Sequence, residues 1–307
     1  MSAQTARFRF APLMLLASVL AAPACSVKTF AVKTVANTLS ETGDVFSRDN
    51  DPELVRDALP FALKLQESLL ESVPTHAPLL LATCSGFTQF GYAYVETEAD
   101  ILGEAHHDES AAMRDRALKL YLRAHDYCLR AMDVRFKGIG PQLVADPVPA
   151  LARAEKKDVP LLYWTAASWG AAIALAVDKP DIAIDLPSVR ALADRALALD
   201  ESWGKGAIHE LMISLDSLPE AIGGNPERAR QHFTRAVELQ QGNSPGPYVS
   251  LAIGVAVPAQ NKAEFQDLLN QALAVDPEKD TSNRLATLIT QRRARALLDQ
   301  IDTRFAN

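Results

Sequence analysis

Apolar residues recur at three- and four-residue spacing along almost the whole chain, and this restricts the fold more than any other feature. Such spacing puts one apolar stripe on each helix, and the stripes must be buried against other helices. Strand signals are nearly absent. No Asn-Gly or Asp-Gly joins alternating segments, and no Val/Ile/Thr alternation repeats. The sequence therefore predicts an all-α protein built of stacked antiparallel helix pairs, a tetratricopeptide-like α-solenoid.

Punctuation supports this division. Asp51-Pro52-Glu53 reads as an N-cap, a proline at the first helical position and an acid in the first turn. The helix it opens carries Leu54, Ala58, Phe61, Ala62, Leu65 and Leu69 and ends before Pro74. A second helix follows Pro78 to about Glu98, and a third runs from about Ser110 to Phe136. Gly138, Gly140, Pro141, Pro147, Pro149 and Pro160 mark residues 137–160 as a connection. It separates a first helical half, 49–136, from a second, 161–307. Helices are predicted there over 161–177, 189–199, 203–215, 226–240 (capped by Asn225), 248–257, 263–275 and 282–305.

A repeat runs through the second half. Leu192, Ala196 and Leu199-Asp200 give one instance, Ala229, Phe233 and Ala236 a second, and Phe265, Leu269, Ala272 and Asp276-Pro277 a third. Ala196 and Ala236 are 40 residues apart, and Ala236 and Ala272 are 36 apart, slightly longer than the roughly 34-residue tetratricopeptide period. A small residue lets two helices approach closely. The aromatic or Leu nearby fills the groove beside it, and Asp-Pro stops the helix.

Residues 1–24 have the form of an address. They contain no acid, the two bases Arg7 and Arg9, a short apolar run from Ala11 to Leu20, and Ala22-Pro23-Ala24 before Cys25. The apolar run is shorter than the roughly 20 residues of a membrane span. Small residues followed by cysteine suggest a bacterial lipoprotein signal with Cys25 as the lipidation site, although the usual Leu three residues earlier is missing. The other reading is ordinary secretion, with Cys25 a free thiol. Ser26, rather than Asp, after the cysteine points to the outer membrane. Residues 25–48 then form a segment behind the anchor.

Charge and motifs exclude several functions. With 31 Lys plus Arg against 38 Asp plus Glu, the chain is too acidic for a nucleic-acid binder. Cys84 and Cys128 lie in apolar helical stretches. They are able to pair in an oxidising compartment, but the expectation is two unpaired core thiols. His209-Glu210 lacks the second His that a zinc protease needs, because Ile213 stands there. His106-His107-Asp108-Glu109 has adjacent rather than spaced ligand types and reads as a solvated loop. No nucleophile elbow, Walker loop or dinucleotide glycine pattern is present. The expectation is a non-enzymatic protein with no metal and no cofactor.

Several segments together resemble the TatT family, the tetratricopeptide-like lipoprotein component associated with TRAP transporters. The resemblance rests on a block from Ala36 to Lys64 that includes Asn37-Thr38-Leu39-Ser40, Gly43, Phe46 and Asp51-Pro52-Glu53-Leu54. It continues in Ser85-Gly86-Phe87-Thr88-Gln89-Phe90, Trp164, Trp169, Trp203-Gly204-Lys205-Gly206-Ala207-Ile208-His209-Glu210 and Gly223-Gly224. It implies a periplasm-facing lipoprotein that works with a periplasmic solute-binding protein of a TRAP importer. It also implies a homotrimer and an apolar organic ligand, or a carboxylate. The alternative is a generic tetratricopeptide scaffold of envelope or outer-membrane assembly.

Candidate ligand residues follow from clustering. Phe87, Phe90 and Tyr94 share one helical face, either as core or as the lining of a cavity. Trp164 and Trp203 are the stronger lining candidates, since Trp often keeps an exposed edge. Lys205 and His209 stand four apart on one face of the predicted helix that begins at Trp203, a face able to meet an anionic head group. Read structurally, they are a surface lysine and a satisfied core histidine. Arg135 and Lys137 are secondary candidates for an anion.

Overall fold

The computed structural model describes residues 24–40, 43–176 and 184–305, and among these every regular element is helical. The helices are α1 (Ala24–Ser40), α2 (Pro52–Ser72), α3 (Ala77–Gly91), α4 (Thr97–Leu102), α5 (His107–Arg135), α6 (Ile139–Ala145) and α7 (Pro147–Leu151). There follow α8 (Val159–Ala174), α9 (Leu186–Leu199), α10 (Ala207–Asp216), α11 (Pro226–Leu239), α12 (Gly246–Leu251), α13 (Lys262–Ala274) and α14 (Arg284–Asp299). The expected leader, residues 1–24, falls outside the described residues up to residue 23. Of Cys25 only the backbone, in α1, is described.

Local chemistry sets the helix starts. Asp51 accepts from the amides of Glu53 and Leu54 at 3.1 and 3.0 Å, as its position before Pro52 predicts. Asn225 accepts from the Arg228 amide at 3.0 Å and starts α11. One feature escapes the periodicity. A π turn, Tyr92–Glu96, joins α3 to α4, and a second, Ala252–Ala256, follows α12. Each inserts an extra residue into a helical turn and re-aims the side chains beyond it.

Neighbouring helices pack in pairs: α3 on α5, α8 on α9, α10 on α11 and α13 on α14. The small repeat residues Ala196, Ala229, Ala236 and Ala272 are all fully buried, which allows the close approach the sequence predicts. Phe265 beside them is also fully buried, and removing such a ring costs about 3–5 kcal/mol. One apolar core joins Leu79, Leu80 and Met132 to Leu162, Leu192 and Ile208, so it runs across the Pro/Gly-rich 137–160 stretch.

Two departures from the sequence reading matter. Cys84 and Cys128 form a disulfide that ties α3 to α5, with Cα atoms 5.4 Å apart, rather than standing as unpaired thiols. Each cysteine reads locally as a small hydrophobe, and only the crossing of two helices 44 residues apart in sequence makes them partners. The helical array also closes on itself. α14 returns to pack against α4, the first π turn and α2. Arg293 pairs with Asp100, Arg292 pairs with Glu98 at 2.7 Å, and the Gln300 amide donates to the Ile101 carbonyl at 2.8 Å.

Candidate functional site

The closure surrounds a cavity of about 750 Å3. Its walls come from α3 and the first π turn, α8, α10, the second π turn and α14. Each wall follows from local backbone. On α3 the inward face is Thr88 and Gln89, continued past the π turn's start by Tyr92 and Glu96. α8 brings Tyr163 and Trp164, with small Ala167, Gly170, Ala171 and Ala174 leaving room behind the rings. Tyr163 sits 4.7 Å from the Trp203 ring and 5.0 Å from the Trp164 ring.

The loop that carries Trp203 explains the placement of Lys205. Gly204, Lys205 and Gly206 all have positive φ, at 57°, 56° and 89°. Three left-handed residues in a row break the helix before α10. Gly206 is required for space as well, since a Cβ there would lie 3.0 Å from the Leu239 Cβ. Lys205 is thereby turned across the cavity rim, where its Nζ pairs with Asp280 at 2.7 Å and donates to Ser282 at 3.1 Å.

The charged groups of the wall are arranged around α14. Arg293 is buried, donates to the Tyr92 hydroxyl at 2.8 Å and pairs with Asp100. Its guanidinium is held firmly charged. Burial opposes the charge, but Tyr92, Asp100 and Glu96 outweigh burial. The Tyr121 hydroxyl donates to Glu96 at 2.5 Å. Burial pushes the Glu96 carboxyl up, against the pull of Arg293 and Tyr121. Glu210, from α10, is pushed up to about 7 by burial, with Gln240 as its opposing hydrogen-bonding neighbour.

Of the sequence-predicted residues, Trp164, Trp203 and Lys205 line this cavity. Phe87, Phe90 and Tyr94 lie in the core on another face of the same helix run. Phe87 stacks on Tyr127 at 6.2 Å, and Phe90 packs 5.7 Å from Tyr94. His209 and Lys205 are not brought together, because the left-handed turn destroys their helical register. His209 instead joins a chain of polar groups, with Nδ1 2.8 Å from His232 Nδ1 and Nε2 3.1 Å from Glu201. Arg135 is taken up by Asp158 at 2.7 and 3.0 Å. His106 and His107 are exposed, facing Glu109 and Glu104 at 3.7 Å.

The sequence reading missed Tyr92, Glu96, Tyr163, Glu210 and Arg293. For Glu210 a signal existed. It neighbours His209, so on a helix it points about 100° away from it. When His209 faces one interior, Glu210 faces a different space.

A family model described as TRAP transporter T-component matches residues 48–305. The chain belongs to the TRAP transporter T-component family. A protein of Treponema pallidum (strain Nichols), itself described as uncharacterised, is 28% identical over 300 residues, which take in 92% of this chain and 93% of that one. Family membership gives this T-component an accessory role in TRAP transport at the cell envelope, in a family of transporter components and not of enzymes. Among its described residues no helix is long and apolar enough to cross a membrane.

Proposed function

We propose that this T-component holds an apolar organic solute in its central cavity and acts with the periplasmic solute-binding protein of a TRAP importer. The observation that carries the reading is the cavity itself. A space of about 750 Å3 walled by Tyr163, Trp164 and Trp203 is of the size and character that receives small organic molecules. The carboxylate head group expected of the solute is less well served, since Lys205 is already engaged by Asp280.

An outer surface suits a partner. Leu54, Ala58, Phe61 and Leu65 follow one another at four- and three-residue steps along α2, all exposed, with Phe61 73% accessible. An apolar stripe of this kind on a soluble face marks an interaction site. Lipidation at Cys25 and a homotrimeric state belong to the same proposal: an anchored assembly beside the importer, on the periplasmic face of the outer membrane.

Capture from detergent-solubilised membranes tests the proposal. The full chain is expected to recover a TRAP-type solute-binding protein, and Phe61→Asp to lose it. Recovery of barrel-assembly proteins instead would favour the general envelope scaffold. Metabolic labelling with a palmitate analogue is expected to mark the wild type and to leave Cys25→Ala unmarked. Light scattering of the solubilised protein reads the trimer.

A further inference from the structure

Two histidines meet where α10 packs on α11, and the groups around them fix which ring nitrogens carry protons. Glu201 is held down to about 2, chiefly by its bond from Arg235, and is therefore a carboxylate that only accepts. His209 Nε2, 3.1 Å away, must be the protonated nitrogen of a neutral ring. That leaves His209 Nδ1 bare. His232 Nδ1 lies 2.8 Å from it, so the bond between the rings exists only if His232 donates. The neutral pair thus has His209 protonated at Nε2 and His232 protonated at Nδ1.

One mismatch is left. His232 Nε2 is then a bare acceptor, and it faces another acceptor, Asp216 Oδ2, at 3.7 Å. Asp216 is fully buried. Its Oδ1 accepts from Arg190 and Arg228 at 2.8 and 2.7 Å, and its Oδ2 has no hydrogen-bond partner among the described residues. A proton on His232 Nε2 sets a charged donor against this acceptor instead. A second proton has a single place to go, His209 Nδ1, where the N–H of His232 already points. The bond between the rings cannot survive it.

The other charges around the pair do not answer a second proton. Arg228 and Arg235 of α11 and Arg190 of α9 oppose added positive charge. Asp194 of α9, raised by burial, lies in the field of the same Arg190, Asp216 and Arg228. Lys205, in the turn before α10, is engaged by Asp280, and Glu238 of α11 by Arg235. α8 and α12 also pack on α10 and bring Tyr163 and Tyr248, whose hydroxyls burial pushes further from titration. Glu210, on α10 itself, titrates at about 7 from the cavity side. Burial holds both imidazoles below the ordinary 6.5, so they take up protons on the acid side of neutrality.

We propose that His209 and His232 are a two-step proton switch in the seam between α10 and α11: a first proton on His232 Nε2 joins the pair to Asp216, and a second, on His209 Nδ1, breaks the bond between the rings and loosens α10 from α11. α10 supplies Glu210, Leu211 and Leu215 to the cavity wall, so acid acts on the cavity through this seam. The switch does not depend on what the cavity holds.

Ring-nitrogen shifts of the full chain in detergent, labelled with 15N-histidine, read the protons directly. At pH 8, His232, assigned by its loss in His232→Gln, is expected as the Nδ1-protonated tautomer and His209 as the Nε2-protonated one. On acidification the two are expected to titrate in separate steps, His232 first, about one pH unit or more apart. Both rings protonated at Nε2 at pH 8, or one joint titration at the ordinary 6.5, overturns the switch. Amide exchange, corrected for the intrinsic effect of pH, reads the loosening. Residues 207–216 and 226–239 are expected to exchange roughly fivefold faster at pH 5 than at pH 7.5, while α3 and α5, tied by their disulfide, do not change. In His232→Gln the amide still donates to His209 Nδ1 and one proton site is gone, so the acid response is expected to vanish while Glu210 still titrates. A response that persists in the variant, or equal exchange at both pH values in the wild type, overturns the switch. If His232→Gln does not fold, the half-exposed Glu201→Gln takes its place and is expected to move the later step to lower pH; a later step that stays put overturns the assignment.

Discussion

Two polar interiors lie close together in this molecule, and they are built on opposite plans. One is sealed. Asp216 is fully buried and accepts from Arg190 at 2.8 Å and from Arg228 at 2.7 Å. His232 stands 3.7 Å beyond it, then His209, then Glu201 and Arg235. Each charge there has a protein partner. The other is open. Glu96 and Glu210 face the cavity with no ion-pair partner among the described residues. The same helix, α10, supplies His209 and Asp216 to the first and Glu210 to the second. The first region answers its own charges, whereas the second leaves two carboxyls beside empty space, at a cost in desolvation.

Substitutions separate the two plans by sign and size. Asp216→Ala removes the buried acceptor shared by Arg190 and the half-exposed Arg228, and is expected to cost on the order of 3 kcal/mol in urea unfolding, the low end for a buried pair. A loss under about 1 kcal/mol would mean that the network is ornamental. Removing the disulfide with Cys84→Ser and Cys128→Ser opens a 44-residue separation and is expected to cost about 2–4 kcal/mol, through the unfolded chain rather than through either polar region.

Glu210→Gln is expected to do the opposite and stabilise the empty protein. The folded carboxyl titrates at about 7, above its ordinary 4.5, so the folded state holds its proton longer than the unfolded chain does. Stability contributed by this group is therefore greatest below pH 4.5 and is lost as pH rises toward 7. The variant's advantage should be on the order of 3 kcal/mol at pH 8 and vanish near pH 4. Thermal melts across that range decide it, and an advantage that persists at pH 4 would assign the effect to packing. His125, packed 4.3 Å from the Trp169 ring and lowered to about 4 by burial, works in the other direction. Its contribution is present above pH 6.5 and is lost as pH falls toward 4. The smallest effect is expected for Lys205→Gly. Relief of the left-handed backbone, about 0.5–1 kcal/mol, nearly offsets loss of the exposed pair with Asp280. A change beyond about 1 kcal/mol in either direction would show that the rim does more than hold Lys205.

How much of this was legible depends on the range of the cause. Helix starts at Asp51 and Asn225, and the buried alanines of the repeat, are local matters of spacing and capping, and they stand in the sequence. The cavity is not local. Arg293 reaches Asp100 across 193 residues, and periodicity has no means of showing that α14 returns to the first half. The faces of α3 illustrate the same limit. Phe87, Phe90 and Tyr94 make one aromatic row, and Thr88, Gln89, Tyr92 and Glu96 lie on another face, with a π turn beginning at Tyr92. Hydrophobicity favours the first row as a binding wall, but the first row is the core, and the more polar face is the one turned to empty space. Lys205 and His209 fail as a pair for a backbone reason: Gly204 and Gly206 flank Lys205, and the glycines themselves were the available warning.

The return of α14 to α2 and α4 has a consequence for ancestry. An array with two free ends grows by duplicating a unit, and each added pair simply lengthens it. Here the final helix is already bound to the opening pairs, so an inserted pair would have to pry apart Arg293 from Asp100 and Arg292 from Glu98. Variation among relatives is therefore expected in the linkers between pairs rather than in their count.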